Sequence, residues 1–192
     1  MATKPPEQEP RPELGRARRS GWRETLITIV VALIAAFLLR TYVIAPYYVS
    51  GFSMEPTLHN QERLLVNEIG FKLSGLQIGD IIVFHPPLPV SIDFIKRVIA
   101  LPGDTVSMSN GQVYINGKLL PEPWETVGGK SYLDHFNLPP TKIKPGYIYV
   151  LGDNRAHSDD SRFFGPVPIS SVVGQAVFAV WPPSQFGWVP VP

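Results

Sequence analysis

The most constraining feature of this sequence is an uncharged apolar run near its start, the fifteen residues Thr25 to Leu39. A helix of that length reaches only about 23 Å, whereas the hydrocarbon core of a bilayer is about 30 Å thick. A helix from about Trp22 to Tyr42 is long enough if Arg40 snorkels to the far interface and both aromatic residues lie among the headgroups. The run therefore predicts one transmembrane helix, with residues 21–45 as the anchor.

The charges before this run predict its orientation. Six basic residues precede the helix, so the positive-inside rule places the N-terminus in the cytoplasm. Residues 1–20 are rich in proline and charge and have too few apolar side chains to bury, which predicts a disordered cytoplasmic tail. Residues 46–192 then form the extracytoplasmic domain of a single-pass protein of the cell membrane.

Two other readings of the apolar run are a cleaved signal peptide and a buried helix of a soluble domain. The tripeptide Val43-Ile44-Ala45 has a faint likeness to a cleavage site. Pro46 follows it, however, and proline fixes the backbone at the bond that would be cut. An uncleaved anchor is therefore favoured.

Proline and glycine limit what residues 46–192 can form. The chain has 21 prolines and 16 glycines, which leaves little room for long helices and favours short strands joined by turns. Runs rich in Val, Ile, Tyr and Phe predict strands at 63–68, 81–84, 94–100, 147–151 and 172–180. The predicted fold is mainly β, an antiparallel sheet or barrel-like domain that follows one N-terminal transmembrane helix.

Two Asn-Gly pairs predict tight hairpins. Asn110-Gly111 and Asn116-Gly117 separate three short alternating runs between Thr105 and Leu120, and Asn-Gly between such runs is the strongest local hairpin signal. The segment from Pro121 to Pro145 is rich in glycine and proline and predicts a looser excursion from the sheet.

Charge and cysteine content exclude several classes of function. A formal net charge of +1 provides no basic face for gripping nucleic acid. The absence of cysteine excludes disulfides, thiolate catalysis, iron–sulfur clusters and cysteine zinc sites. Any nucleophile is therefore oxygen or nitrogen.

Three polar segments are candidates for chemistry. Val49 to Leu58 carries Ser53 and follows the predicted anchor, and Asp93 to Asp104 places Lys96 in an apolar strand. The third segment, Gly152 to Gly165, is a dense polar loop. Each segment alone also fits a structural role, as a Gly/Ser/Pro turn, a strand with one charged residue buried by alternation, or a loop of Asx turns with a surface ion pair.

Taken in order, these segments resemble the motifs of the type I signal peptidases, membrane-anchored serine proteases that cleave signal peptides from exported proteins. The matching stretches are Ser53-Met54-Glu55-Pro56-Thr57-Leu58, Phe94-Ile95-Lys96-Arg97 with Leu101-Pro102-Gly103-Asp104, and Gly152-Asp153-Asn154-Arg155 with Ser158, Asp160, Ser161 and Arg162. A further match is Gly79-Asp80-Ile81-Ile82-Val83-Phe84, and the resemblance covers residues 22–180.

The resemblance implies a role for each site residue. Ser53 would be the nucleophile, Lys96 its general base, and Ser158 a hydroxyl that orients the lysine by a hydrogen bond. Burial must then lower the pKa of Lys96 to about 7 or 8, because an ordinary lysine with a pKa near 10.4 stays protonated. A carboxylate in place of Ser158 would raise that pKa, so a neutral hydroxyl suits the position. Asp160 and Arg162 are expected to pair and hold the loop.

Substrates and partners also follow from the resemblance. Signal-peptide-bearing preproteins and the lipid bilayer are the expected partners, and no cofactor, metal or nucleic acid is expected. Cleavage sites of the A-x-A kind predict shallow apolar pockets, with the substrate extended along a strand edge near Ser53. The residues predicted to bind substrate are Val49, Met54, Leu58, Phe94 and Ile95.

The sequence departs from part of the family two residues before Ser53. Some members have a serine there that donates a hydrogen bond to the oxyanion, whereas this chain has Gly51. The N–H of Ser53 is the expected first donor, and a backbone amide or a water is the expected second.

Four other functions differ in what they require. A Ser-His-Asp hydrolase would have a G-x-S-x-G elbow at Ser53, which this chain lacks. A metal site at His157 would be expected to have an H-E-x-x-H motif, which is also absent. A repressor-like self-cleaving Ser/Lys protease would share the core but would usually carry a DNA-binding module and no membrane span. A membrane-tethered β-domain that binds partners without catalysis would be indifferent to Ser53→Ala.

Overall fold

The computed structural model describes residues 21–42, 44–124 and 136–190, with side chains from residue 21 to 34 and from residue 45 onward. The predicted tail, residues 1–20, lies outside the described residues. The chain divides into two compact units between Phe37 and Leu38. The domain limits predicted at residues 20 and 45 remain a prediction.

Helix α1 (Gly21–Tyr42) covers the apolar run. The hydroxyls of Thr25 and Thr28 donate to carbonyl oxygens four residues earlier, at 2.7 and 2.8 Å, so neither is left unpaired. The large apolar side chains between Leu26 and Ile34 are 45–65% exposed. Within the described residues, no helix is both long enough and apolar enough to cross a membrane.

The rest of the described chain is built mainly from strands, as predicted. They are β1 (Ile44–Tyr48), β2 (Arg63–Asn67), β3 (Ile81–Phe84), β4 (Phe94–Ala100), β5 (Thr105–Ser109), β6 (Gln112–Ile115), β7 (Lys118–Leu119), β8 (Leu138–Lys142), β9 (Tyr147–Leu151), β10 (Val167–Pro168), β11 (Val172–Trp181) and β12 (Gly187–Trp188). Two short helices, α2 (Gly70–Ser74) and α3 (Ser161–Phe164), and 3₁₀ turns that include residues 155–157, 169–171 and 183–185 interrupt them.

These strands form two sheets in which every pairing is antiparallel. The larger sheet has the order β1-β2-β11-β3-β4-β9-β10, with β12 paired to β11, and the smaller has the order β7-β6-β5-β8. The mainly β, antiparallel prediction is confirmed. Both Asn-Gly turns are also confirmed, since Asn110 (φ 48°), Gly111 (φ 79°), Asn116 (φ 52°) and Gly117 (φ 79°) adopt the left-handed backbone of a type I′ hairpin.

Of the four strands that were not predicted, β1, β8, β10 and β12, the two longest, β1 and β8, contain proline. Strand β1 includes Pro46, and β8 includes Pro139 and Pro140 within the segment interpreted as an excursion. Both strands lie at the edge of their sheet, where a residue without an N–H is tolerated. The excursion is therefore wrong for residues 138–142, and residues 125–135 lie outside the described part of the chain.

Strand β4 positions the chemistry of the larger sheet. It lies between β3 and β9, and its last three residues, Val98 to Ala100, are completely buried. Residues 94–96 pair with β3, whereas pairing with β9 begins only at Arg97. The start of β4 therefore has one paired edge and one edge without a strand partner among the described residues.

Candidate active site

Ser53 lies in a run of tight turns, residues 51–58, between β1 and β2. Met54 and Leu58 anchor these turns, because both side chains are buried in a core cluster that includes Leu64 and Val83. The N–H of Leu58 donates to the carbonyl of Met54 at 2.9 Å. The chain thus reverses at Ser53 and leaves its hydroxyl at the margin of the core.

The side chain of Lys96 ends at this serine. Its Nζ lies 2.7 Å from Oγ of Ser53 and 3.0 Å from the carbonyl oxygen of Ile95. The ring of Phe94 lies 5.2 Å from Nζ, measured to the ring centroid. Lys96 is only 4% exposed, so its amine meets a hydroxyl, a carbonyl and an aromatic face in place of bulk water.

Burial lowers the pKa of Lys96 to about 8, because the ammonium form loses its hydration. The carboxylates of Asp160, Asp159 and Asp153 act in the opposite direction, and the guanidinium of Arg162 lowers the pKa further. Roughly a tenth of such a lysine is neutral at pH 7, far more than of an ordinary lysine. The amine is therefore able to accept a proton near neutral pH.

Both neighbouring cations of β4 are buried, although alternation predicted only one. Arg97 is 0% exposed and binds Asp153 through two hydrogen bonds of 2.9 and 2.7 Å. It also donates to the carbonyl of Gly79 at 2.7 Å and lies 4.4 Å from the ring centroid of Trp124. The guanidinium is buried because both faces of β4 are covered. Asp153 neutralises it, so the Arg97–Asp153 pair has no net charge.

The polar loop after β9 is hydrogen-bonded to the backbone at Ser53. The N–H of Asn154 donates to the carbonyl of Ser53 at 3.0 Å, and its side-chain amide donates to the carbonyl of Phe52 at 3.1 Å. A Cβ atom at Gly152 would lie 2.5 Å from that Ser53 carbonyl and 2.2 Å from Oγ of Ser158. The loop approaches this closely only because residue 152 is glycine, a requirement that the sequence alone did not reveal.

Asp160 and Arg162 pair as expected, but in the interior and not at the surface. Both side chains are 0% exposed, with hydrogen bonds of 2.8 and 2.9 Å between them. The same carboxylate accepts the N–H of Gly152 at 3.0 Å. Arg162 also donates to the carbonyl of Arg155 at 2.7 Å. This pair holds the loop in its conformation against Ser53.

The Ser53–Lys96 pair opens into a cleft of about 560 Å³. Three of the residues predicted to bind substrate, Val49, Phe94 and Ile95, line the cleft. Met54 and Leu58 do not line it and instead pack in the adjoining core, because residues 51–58 form turns in which strand alternation does not apply. Lining residues that the sequence did not assign to substrate binding include Tyr47, Tyr48, Ile92, Asp93, His157 and Asp159.

A family model described as "Signal peptidase, peptidase S26" matches residues 22–181 of this chain. The chain belongs to the signal peptidase family, peptidase S26. The resemblance seen in the motifs is therefore confirmed, and the match covers nearly all of helix α1 and every strand except β12.

Individual signal peptidases are similar over most of their length. A "Probable signal peptidase I-1" from Synechocystis sp. is 40% identical over 172 residues, which cover 86% of this chain and 85% of that protein. A "Signal peptidase IB" from Staphylococcus aureus is 38% identical over 176 residues, or 85% of this chain and 91% of that protein. A crystal structure of a signal peptidase I from Enterococcus faecalis V583 is 36% identical, with a TM-score of 0.46, and covers 52% of this chain and 95% of its own.

The third residue expected in the signal peptidase site, Ser158, does not bind Lys96 here. Its Oγ is buried and has no hydrogen-bond partner, and the second partner of the Lys96 amine is the carbonyl of Ile95. The hydroxyl packs against Gly152 in the loop that clasps Ser53. The lysine is thus oriented by a backbone carbonyl of its own strand, which no side-chain motif can reveal.

Gly51 stands where some family members have a serine, and its backbone N–H is not free to donate to an oxyanion. Gly51 has a φ of 105°, and its N–H donates to the side-chain oxygen of Asn60 at 3.0 Å. Within the described residues, the N–H of Ser53 donates to no protein acceptor. Of the two amides, only that of Ser53 is available to a substrate.

Proposed function

We propose that this chain is a membrane-anchored serine endopeptidase that removes signal peptides from exported preproteins through a Ser53–Lys96 dyad. The observation that carries the proposal is the 2.7 Å contact between Oγ of Ser53 and the buried amine of Lys96, at the wall of a cleft large enough for an extended peptide. Membership of the signal peptidase family provides the substrate class.

The first half of the reaction acylates Ser53. Neutral Lys96 accepts the proton of the Ser53 hydroxyl as Oγ attacks the carbonyl carbon of the scissile bond. The N–H of Ser53 donates to the oxyanion that forms. Lys96 then returns the proton to the nitrogen of the leaving amine, the C–N bond breaks, and the signal peptide stays attached to Ser53 as an ester.

The second half of the reaction releases the signal peptide. A water occupies the space left by the amine and gives a proton to Lys96 as its oxygen attacks the ester carbonyl. The second oxyanion collapses, Oγ of Ser53 leaves and takes the proton back from Lys96. One amine thus serves both steps because its pKa lies close to the working pH.

Substrate selection follows from the apolar wall of the cleft. Val49, Phe94 and Ile95 provide shallow apolar surfaces. These surfaces suit the two small side chains of an A-x-A cleavage site. The unpaired edge of β4 at residues 94–96 and the outer edge of β1 have backbone groups that an extended peptide pairs with by strand addition.

The anchor is part of the same proposal. Helix α1 has 22 residues, about 33 Å at ~1.5 Å per residue, and its uncharged run from Thr25 to Leu39 follows a basic segment. Insertion with the N-terminus in the cytoplasm places the catalytic domain outside, where an exported preprotein presents its cleavage site.

Cleavage by the full chain in neutral detergent micelles is expected to rise with pH through about 8, the pKa of Lys96. The ammonium form has no lone pair, so kcat/KM increases about tenfold per pH unit below that pKa and levels off above it. The measurement is kcat/KM for a preprotein between about pH 6 and pH 10.

A His157→Gln variant is the matched control, since His157 lines the cleft and is the other side chain there that could serve as a base. The variant should keep the same profile. A rate that is already constant from about pH 7 upward would contradict a lysine base.

Ser158→Ala is expected to lower kcat/KM by about tenfold without lowering the melting temperature. Its buried hydroxyl has no partner, so its removal does not destabilise the folded state. The variant loses only a bond to Lys96 that would form when the amine leaves the carbonyl of Ile95 during the reaction. The control is Ser161→Ala, because Oγ of Ser161 accepts the N–H of Val150 at 3.0 Å. That variant should lose about 1 kcal/mol of stability. Full activity of Ser158→Ala would leave Ser158 without a role in the reaction.

A further inference from the structure

The cleft contains an imbalance of charge. Besides two tyrosines, its lining includes four titratable side chains, those of Asp93, Lys96, His157 and Asp159. Lys96 must be neutral to act as the base, and a histidine is uncharged well above neutral pH. The charges that remain in the working cleft are therefore the two carboxylates.

The other acidic residues close to the dyad do not add to this imbalance. Asp153 is neutralised by Arg97 and Asp160 by Arg162, and all four side chains are at most 1% exposed. Their charges cancel in pairs in the interior, where no substrate reaches them.

The carboxylates of Asp93 and Asp159 are not cancelled in this way. Asp159 is exposed and forms no ion pair among the described residues. Asp93 binds Nδ1 of His85, a side chain that is 69% exposed and does not offset the carboxylate when its ring is neutral. Asp93 directly precedes β4 and lies three residues before Lys96, about 10 Å if the chain is extended, within reach of a bound peptide.

We propose that Asp93 and Asp159 make the cleft selective for charge, so that it favours substrates with lysine or arginine near the scissile bond over otherwise identical substrates with glutamate or aspartate. The inference rests on the proposed peptidase function and adds a second criterion to the requirement for small side chains. Like charges brought together in a partly dehydrated cleft repel, and opposite charges attract.

The test is a series of peptides with one A-x-A cleavage site. At every position except the two alanines, the residue is replaced in turn by Lys, Gln or Glu. The full chain is assayed in uncharged detergent micelles at about pH 9, where histidines are neutral. The readout is the ratio of kcat/KM for the Lys peptide to that for the Glu peptide. Both peptides meet the same neutral fraction of Lys96 in a given enzyme, so that fraction cancels in the ratio.

We expect a ratio of about ten at one or more positions, falling to roughly three in Asp93→Asn or Asp159→Asn and close to one in the double variant. Added salt should lower the ratio in the wild type, because both carboxylates are in contact with solvent. Asp104→Asn is the matched control. It makes the same chemical change outside the cleft, where Asp104 accepts the N–H of Leu101, and should leave the ratio unchanged.

A wild-type ratio near one at every position, or a ratio unaffected in the double variant, overturns the inference. If the Gln peptides are still cleaved in a Ser53-dependent manner, the proposed function stands without it. Failure of the wild type to cleave the Gln peptides would instead remove the proposed function itself. Melting temperatures of the variants separate a lost charge from a lost fold, and the salt dependence of the wild type requires no variant.

Discussion

Ser53→Ala and Lys96→Ala are each expected to lower kcat/KM for preprotein cleavage by about 10⁴-fold or more. The first variant has no nucleophile. In the second, the hydroxyl of Ser53 loses the base that lies 2.7 Å away, and a free serine hydroxyl is too weak at neutral pH. The measurement is cleavage of a purified preprotein by the full chain, with folding checked by thermal unfolding.

Two further variants show whether the lysine acts as a base. Lys96→Met keeps most of the buried volume, so its inactivity is not explained by a cavity. Lys96→Arg keeps a positive charge that does not dissociate in the working range and should be equally inactive. The Ser53→Ala/Lys96→Ala double variant should be no slower than either single variant, because the two residues act as one unit. More than about a tenth of wild-type activity in either single variant would contradict the dyad. A wild-type chain that cleaves no preprotein would instead favour the membrane-tethered binding domain.

Gly152→Ala is expected to lower kcat/KM by about 100-fold. The added Cβ would lie 2.2 Å from Oγ of Ser158 and 2.5 Å from the carbonyl oxygen of Ser53. The carbonyl is backbone and cannot rotate away, so the loop or the serine must shift. A displacement of about 1 Å between a nucleophile and its base is enough for such a loss.

The control for Gly152→Ala is Gly187→Ala in β12. No atom lies within 4 Å of a Cβ at Gly187, so this variant should cleave like the wild type. The pH profile of Gly152→Ala provides a second measurement, since moving the loop also moves Asp159 and Asp160 relative to Lys96. Activity of Gly152→Ala within about threefold of wild type would show that the loop accommodates the methyl group and that its close approach is not needed.

Much of the fold was predictable because its signals are local. Strands β3, β4, β5, β6 and β9 begin and end at the predicted residues, since glycine, proline and Asn-Gly pairs interrupt the chain at those points. Strands β1 and β8 were not predicted because prolines are tolerated only at a sheet edge. Which strands become edges depends on the pairing of distant segments.

Part of the candidate site was likewise predictable from local sequence signals, and part of it was not. Ser53 and Lys96 were predicted because each belongs to a motif with a recognisable order along the chain, and the structure brings them into contact. Met54 and Leu58 were expected in the substrate cleft but pack in the core, because the direction of a side chain in a turn is set by what packs around it. The expected bond from Ser158 to Lys96 is absent for a related reason, since a backbone carbonyl of β4 fills that place.

The residues by themselves determined the family, the mainly β architecture, the uncharged helical run and the candidates for nucleophile and base. These follow from composition, turn chemistry and motif order, all of which act over a few neighbouring residues. Only the tertiary structure decided that Lys96 and Arg97 are both buried, that Asp153 neutralises one of them, and that Gly152 lets a loop press against Ser53. Burial and close approach arise from segments tens of residues apart, and the pKa of Lys96 depends on that burial.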